Sequence, residues 1–142
     1  MTYRYGEKSQ GKLDTCDDEL QLVAELGLSM SPYDITIIHG WRGEALQNAL
    51  VDSGVSRTRW PDSDHNFMDA MGNPLSMAFD FAPWVEGAIP WKDTHIFAVL
   101  AGCFFAAADQ LEVRIKWGGD WDTDGSTKDQ TLMDWGHIAK VN

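Results

Sequence analysis

At 142 residues and 44% hydrophobic content, the chain is long enough for one domain with a buried core, spanning 1–142, and too short for a catalytic domain plus a separate binding module. Eleven Lys and Arg stand against 22 Asp and Glu, a net charge of −11; the scattered cations exclude a nucleic-acid surface, and the acidity argues against steering toward an anionic polymer. No apolar run approaches the ~18 residues that span a bilayer, and the opening MTYRYGEKSQGKLD lacks the apolar core of a secretory signal, so the expectation is synthesis in the cytosol and no membrane insertion.

Taken in order, Leu13, Cys16, Leu20, Val23, Ala24 and Leu28 recur at helical spacing, which predicts one helix with Thr15 as its cap and Asp17, Asp18 and Glu19 in its first turn. It stops before Pro32, and the β-branched run Asp34 to Ile38 predicts a short buried strand that delivers Gly40-Trp41-Arg42 at its end. A second helix is expected from Glu44 to Asp52, with Leu46, Ala49 and Leu50 on its inner face and Gly54 in the stop position. From Val55 to Ser76 the composition is polar and reads as a long loop with a Gly72-Asn73-Pro74 turn, the kind of segment that is functional or mobile.

Met77 to Phe81 alternates as a strand, which turns Asp80 away from the face of Phe79 and Phe81. Thr94 is the expected cap of the longest helix, His95 to Leu111, whose Ile96, Phe97, Leu100, Phe104, Ala107, Ala108 and Leu111 form its core face, with His95 exposed. Val113 to Trp117 and His137 to Val141 read as strands. Between them, Asp120-Trp121-Asp122-Thr123-Asp124-Gly125 resembles the opening of a calcium loop, with Ca2+ at Asp120, Asp122 and Asp124, although Thr131 stands where an EF-hand needs an acid; a solvated acidic loop is the alternative. Cys16 and Cys103 lack C-x-x-C spacing and are expected as two buried thiols.

Two stretches concentrate reactive chemistry: Ser63 to Asp80, and Asp134-Trp135-Gly136-His137. Neutral imidazole and carboxylate are the ligands of a catalytic zinc, which keeps one position open, and His65, Asp80 and His137 are the candidates. Their spacing is not the helical H-E-x-x-H arrangement, so either the fold brings them together or each is an ordinary core or surface residue.

Several segments, in order, resemble the zinc D-alanyl-D-alanine peptidase family, which includes VanY-type carboxypeptidases and phage L-alanyl-D-glutamate endolysins. Ser63-Asp64-His65, Ser76 to Pro83 and Asp134 to His137 are similar to its S-x-H, [GS]-x-A-x-D-x-A-P and [DE]-x-x-H segments; Gly40-Trp41-Arg42 with Gln47-Asn48, and Gly54-Val55-Ser56-Arg57-Thr58, resemble two more. The resemblance implies a small α+β fold, an antiparallel sheet packed with helices as in Hedgehog-type relatives. It implies His65, Asp80 and His137 as zinc ligands and Asp134 as the catalytic acid/base. Arg42 matches a residue that binds substrate or stabilises an oxyanion, a structural salt bridge being the alternative. Gln47 and Ser63 match supporting residues that orient the metal ligands or substrate. Trp41, Trp84 and Trp135 either line the cleft or fill the core.

The implied activity is zinc-dependent hydrolysis of the peptidoglycan stem peptide by a monomeric phage endolysin cutting L-alanyl-D-glutamate, with a holin-type partner giving access to the wall. D-alanyl-D-alanine carboxypeptidase action and a non-catalytic, zinc-stabilised binding domain are the alternatives. Two departures stand out. His65 and Asp80 are fifteen residues apart, further than the family's usual spacing, which suggests an inserted loop from Asn66 to Leu75 bordering the cleft; and Ala139 replaces the Glu of an H-x-E pattern.

Overall fold

A computed structural model describes residues 3–120 and 134–141. The described residues form helices α1 (Glu7–Leu13), α2 (Asp18–Ser29), α3 (Glu44–Asp52) and α4 (Thr94–Leu111) and strands β1 (Asp34–His39), β2 (Ala78–Trp84), β3 (Ile115–Trp117) and β4 (His137–Lys140), with a 3-10 turn at Asp64–Asn66. The strands make one sheet in the order β1-β2-β4-β3, each neighbouring pair antiparallel. This is the expected α+β architecture.

The helix expected from Leu13 onward is two helices. Ser76 pairs its backbone with both Thr15 and Asp17, at 2.9 Å each, which diverts the chain between α1 and α2. Leu13 and Cys16 are buried on either side of that break, so their helical spacing belongs to two elements. Asp17, rather than Thr15, caps α2 by accepting from the Glu19 and Leu20 amides. Thr15 instead donates to the Lys12 carbonyl (2.6 Å) and accepts from the Trp41 amide (2.8 Å). Asp93 takes the place expected of Thr94 as the cap of α4, accepting from the Ile96 amide at 3.3 Å.

The core lies between the sheet and the pair α2 and α4. Phe79 and Phe81 of β2 meet Phe104 of α4 edge-on, with ring centroids 5.1 and 4.9 Å apart. All three are fully buried, and burying a side chain of that size stabilises by roughly 1.5–3 kcal/mol. One face of β2 is thereby held in the core while the opposite face carries Asp80, the phase that alternation requires. By length and mean hydropathy (1.4) α4 resembles a membrane span, which the residue-by-residue reading did not register; its buried face, including Phe97, Leu100 and Phe104, packs into the core. His95 is 99% exposed, as expected. Cys16 is buried, but Cys103 is only half-buried, because it sits at the edge of the α4 core face.

The inner face expected for α3 is not the one observed. Leu46 and Ala49 are exposed, and the fully buried residue of this helix is Gln47. A polar side chain sits there because the hydrogen-bonding groups beneath α3 are polar, as the site makes plain.

Candidate active site

The site is assembled from the ends of β1, β2 and β4 and the 3-10 turn. β1 ends at His39, where its register with β2 shifts between Ile37 and His39, and the chain turns through Gly40. A side chain at Gly40 would collide with the Lys12 carbonyl, so the close approach of β1 to α1 demands glycine. Trp41 is then fixed to Thr15 and the Arg42 amide to the His65 carbonyl at 2.8 Å, which presses the chain after β1 against the 3-10 turn.

That turn is built by its own sequence. Ser63 caps it: its hydroxyl accepts from the His65 amide (3.2 Å) and its amide donates to Asn66 Oδ1 (3.0 Å), a reciprocal capping box. Asn66 reaches the Arg42 carbonyl (3.0 Å) and Gln47 Oε1 (3.3 Å) through Nδ2. His65, only 1% exposed, is held by a 2.8 Å hydrogen bond from Nδ1 to the Gly40 carbonyl. A carbonyl only accepts, so the Nδ1 of His65 carries a proton; with the ring neutral its Nε2 presents a lone pair, and with the ring protonated Nε2 donates to Asp80.

Asp80 and His137 arrive by register, since β2 and β4 pair them directly. The neighbouring pairing is tight: Phe81 N–H donates to the Gly136 carbonyl at 2.7 Å, and a side chain at Gly136 would strike the Phe81 carbonyl. The result is a buried triad. His65 Nε2 lies 3.2 Å from Asp80 Oδ1 and 3.3 Å from His137 Nδ1, and His137 Nδ1 lies 3.0 Å from the same Asp80 oxygen. The three ligand atoms fall within 4.8 Å of one another, and no other group of this kind occurs among the described residues. A lone pair of His65, a second imidazole nitrogen and a carboxylate oxygen converging in a buried space are a donor set that fits a metal cation.

The outer contacts orient that set. Asp80 gives its other oxygen, Oδ2, to Arg42 Nη2 in a short ion pair and to His39 Nδ1 at 3.2 Å, and His39 Nδ1 also lies 3.1 Å from Arg42 Nη2. Arg42, 6% exposed, reaches Gln47 Oε1 with Nη1 at 3.4 Å. Burial works to raise the Asp80 carboxyl, but the charge of His65 and hydrogen bonds from His137, His39 and His65 prevail and hold it well below the usual carboxylate range. Ala139 is fully buried, paired with Ala78 on one side and Lys116 on the other. With Ala there, the contacts that orient the triad come from Gly40, His39 and Arg42.

The triad opens into a cleft of about 700 Å³, lined among others by Ser63, Asp134 and Trp135. Asp134 is exposed, with Oδ1 accepting from the Gly136 amide at 3.3 Å. Desolvation by the protein packed around its carboxyl, then the negative charge of Asp80, push its pKa up; His137, the Gly136 amide and Arg42 pull it partly back.

The structure thus gathers His65, Asp80, His137, Arg42, Ser63 and Asp134 around one cleft, with Gln47 directly behind Arg42. Ser63 and Gln47 are tied up in hydrogen bonds that shape the site. Trp135 lines the cleft beside Trp117, with ring centroids 5.4 Å apart. Trp41 packs edge-on against Trp60, and Trp84 is exposed; neither lines the cleft.

None of Asn66–Leu75 lines the cleft, contrary to the expectation for that insertion. It folds back on itself through a Met68–Pro74 bridge and the Asp69 hydrogen bonds to Met71 and Asn73, so its length is spent outward. Of the acidic calcium-like run, Asp122 and Asp124 lie outside the described residues. His39, Arg57, Trp91 and Phe97 also line the cleft, although the sequence did not single them out as site residues. The signal for His39 was its place at the end of a buried strand, directly before Gly40, and that for Arg57 was its place in the Gly54–Thr58 segment; Phe97 read as core, and Trp91 carried no signal, because only folding brings it to the cleft.

The family model for phage L-alanyl-D-glutamate peptidase matches residues 1–141. The chain is similar to the L-alanyl-D-glutamate peptidase of Escherichia phage T5, 33% identical over 145 residues that cover 99% of this chain and 100% of that protein. Its fold is similar to the crystal structure of the L-Ala D-Glu endopeptidase ChiX of Serratia marcescens, with a TM-score of 0.76 at 24% identity over 97% of this chain and 90% of that one.

Proposed function

The chain belongs to the phage L-alanyl-D-glutamate peptidase family, and from that premise we propose that residues 1–142 act as one monomeric catalytic domain, a zinc peptidase that hydrolyses the L-alanyl–D-glutamate bond of the peptidoglycan stem. The observation that carries the reading is the convergence of His65, Asp80 and His137 on one buried point, with the Asp134 carboxylate in the same cleft.

His65 Nε2, His137 Nδ1 and Asp80 Oδ1 would hold the metal. Zinc held there would supply Lewis acidity, able to polarise the scissile carbonyl and bring the pKa of water from 15.7 to about 7. The chain's own residues do the rest. The Gly40 carbonyl keeps the proton of His65 on Nδ1 and Nε2 free. Arg42 and His39 occupy Asp80 Oδ2, so that Oδ1 faces the imidazoles. Asp134 takes the proton from the attacking water and returns it to the leaving amine. A carboxyl whose pKa burial has raised returns that proton to the leaving amine more readily than an ordinary one. The Arg42 charge behind Asp80 also favours a developing oxyanion on the cleft wall, while Gln47 and Ser63 hold the frame.

We further infer that the protein acts on the wall from the cytoplasm once a holin-type partner has opened the membrane. Mass spectrometry of purified peptidoglycan after digestion tests the activity. New termini at L-alanine and D-glutamate are expected; loss of terminal D-alanine alone would reassign the enzyme as a carboxypeptidase, and an unchanged wall would remove the peptidase reading.

A further inference from the structure

Among the described residues, the cleft is lined by four aspartates, Asp62, Asp64, Asp80 and Asp134, and by two arginines, Arg42 and Arg57. The arginines are not equivalent. Arg42 is buried and committed to Asp80. Arg59, two residues after Arg57, pairs with Asp52 at 3.0 Å on the exposed surface. Arg57 has no ion pair or hydrogen bond among the described residues, although it lines the cleft.

Its position is nevertheless built. The amide of the fully buried Gln47 donates through Nε2 to Ser56 Oγ at 3.0 Å and to the Thr58 carbonyl at 2.5 Å, the two residues that flank Arg57. Oε1 of the same side chain accepts from Arg42 and Asn66. One buried amide therefore ties the Ser56 hydroxyl and the Thr58 carbonyl, on either side of Arg57, to the residue that holds Asp80. An arginine kept in register with the metal-ligand set, unpaired among the described residues, in a cleft otherwise rich in carboxylates, fits a carboxylate on the substrate.

The chemistry of the stem peptide supplies one next to the bond. D-Glutamate continues the stem through its γ-carboxyl, which leaves its α-carboxyl free one residue beyond the scissile amide. Resting on the peptidase reading above, we propose that Arg57 is a specificity-determining residue that recognises this α-carboxylate, so the enzyme prefers stems with D-glutamate over stems in which that group is the α-amide.

The test compares wild type, Arg57→Gln and Arg57→Lys on synthetic stem peptides: one with free D-glutamate, one with its α-carboxyl amidated, and one amidated only at the third residue. Wild type should prefer the free acid in kcat/KM by roughly 10- to 100-fold, the scale of one charge-assisted hydrogen bond. Arg57→Gln should bring acid and amide together by loss on the acid, with metal content intact, and Arg57→Lys should restore part of the preference. Binding of the cleavage product that begins with D-glutamate, acid against α-amide, is measured by calorimetry in the same proteins. This readout separates the two readings: acid preference in wild type and none in Arg57→Gln supports Arg57 even if turnover fails and the peptidase reading falls. Equal treatment of acid and amide by wild type, retained preference in Arg57→Gln, or a preference that follows the third residue would each overturn the assignment.

Discussion

Replacing Gln47 with Met separates a framework role from contact with substrate. Met keeps the length of the side chain and removes four hydrogen bonds: Oε1 from Arg42 and Asn66, and Nε2 to Ser56 and Thr58. Water can replace the amide at Thr58, which is exposed, and at the partly exposed Ser56. Arg42 and Asn66 are buried, and each donor left short of a partner costs about 1–3 kcal/mol. Set against the better burial of Met, about 1 kcal/mol, the net loss is roughly 1–5 kcal/mol. For a chain of this size that lowers the melting temperature by about 3–17 °C. Thermal unfolding followed by circular dichroism, with elemental analysis of metal beside it, gives the answer. Metal content should persist, because no ligand is touched, while kcat/KM falls as the loop carrying Arg57 loosens. A Gln47→Met protein that melts within a degree or two of wild type would refute the framework argument, and lost turnover at unchanged stability would move Gln47 to the substrate.

Asp134→Asn removes the proton acceptor at nearly constant shape; turnover on a defined stem peptide should fall by about 10²-fold or more, with melting temperature and metal content near those of wild type, and equal turnover would take Asp134 out of the mechanism. His137→Ala should lose about one zinc per chain by elemental analysis, and full metal content in that variant would refute the ligand assignment. Excising Met68–Pro74 and joining Phe67 to Leu75, already linked by a 3.0 Å hydrogen bond, should leave kcat/KM unchanged, since none of the excised residues lines the cleft; altered preference among muropeptides would show that the loop reaches substrate. Burial pushes the Cys16 thiol up to about 12, so it stays protonated and unreactive at pH 8. A thiol reagent should therefore modify Cys103 in the native protein and both cysteines after unfolding, and rapid modification of native Cys16 would contradict that.

The three candidate ligands were named from residue type and from the resemblance of the short segments that carry them, and the alternation of Met77 to Phe81 alone turned Asp80 away from Phe79 and Phe81. The α4 core stripe and the β-branched β1 were equally local. What the chain in one dimension could not show is which partner satisfies each group. The helical spacing of Leu13 and Cys16 ran across a break that exists only because Ser76, sixty residues on, pairs with that stretch. Leu46 and Ala49 of α3 point outward because Gln47 is needed beneath it by Arg42, Asn66, Ser56 and Thr58, an amide's four bonds drawn from three segments. His65, Asp80 and His137 become a site only through the pairing of β2 with β4 and the closure of the 3-10 turn onto Gly40. Periodicity and capping act over one or two turns of chain, whereas register between strands and the fate of a buried hydrogen bond are settled by whichever groups the rest of the fold brings into reach.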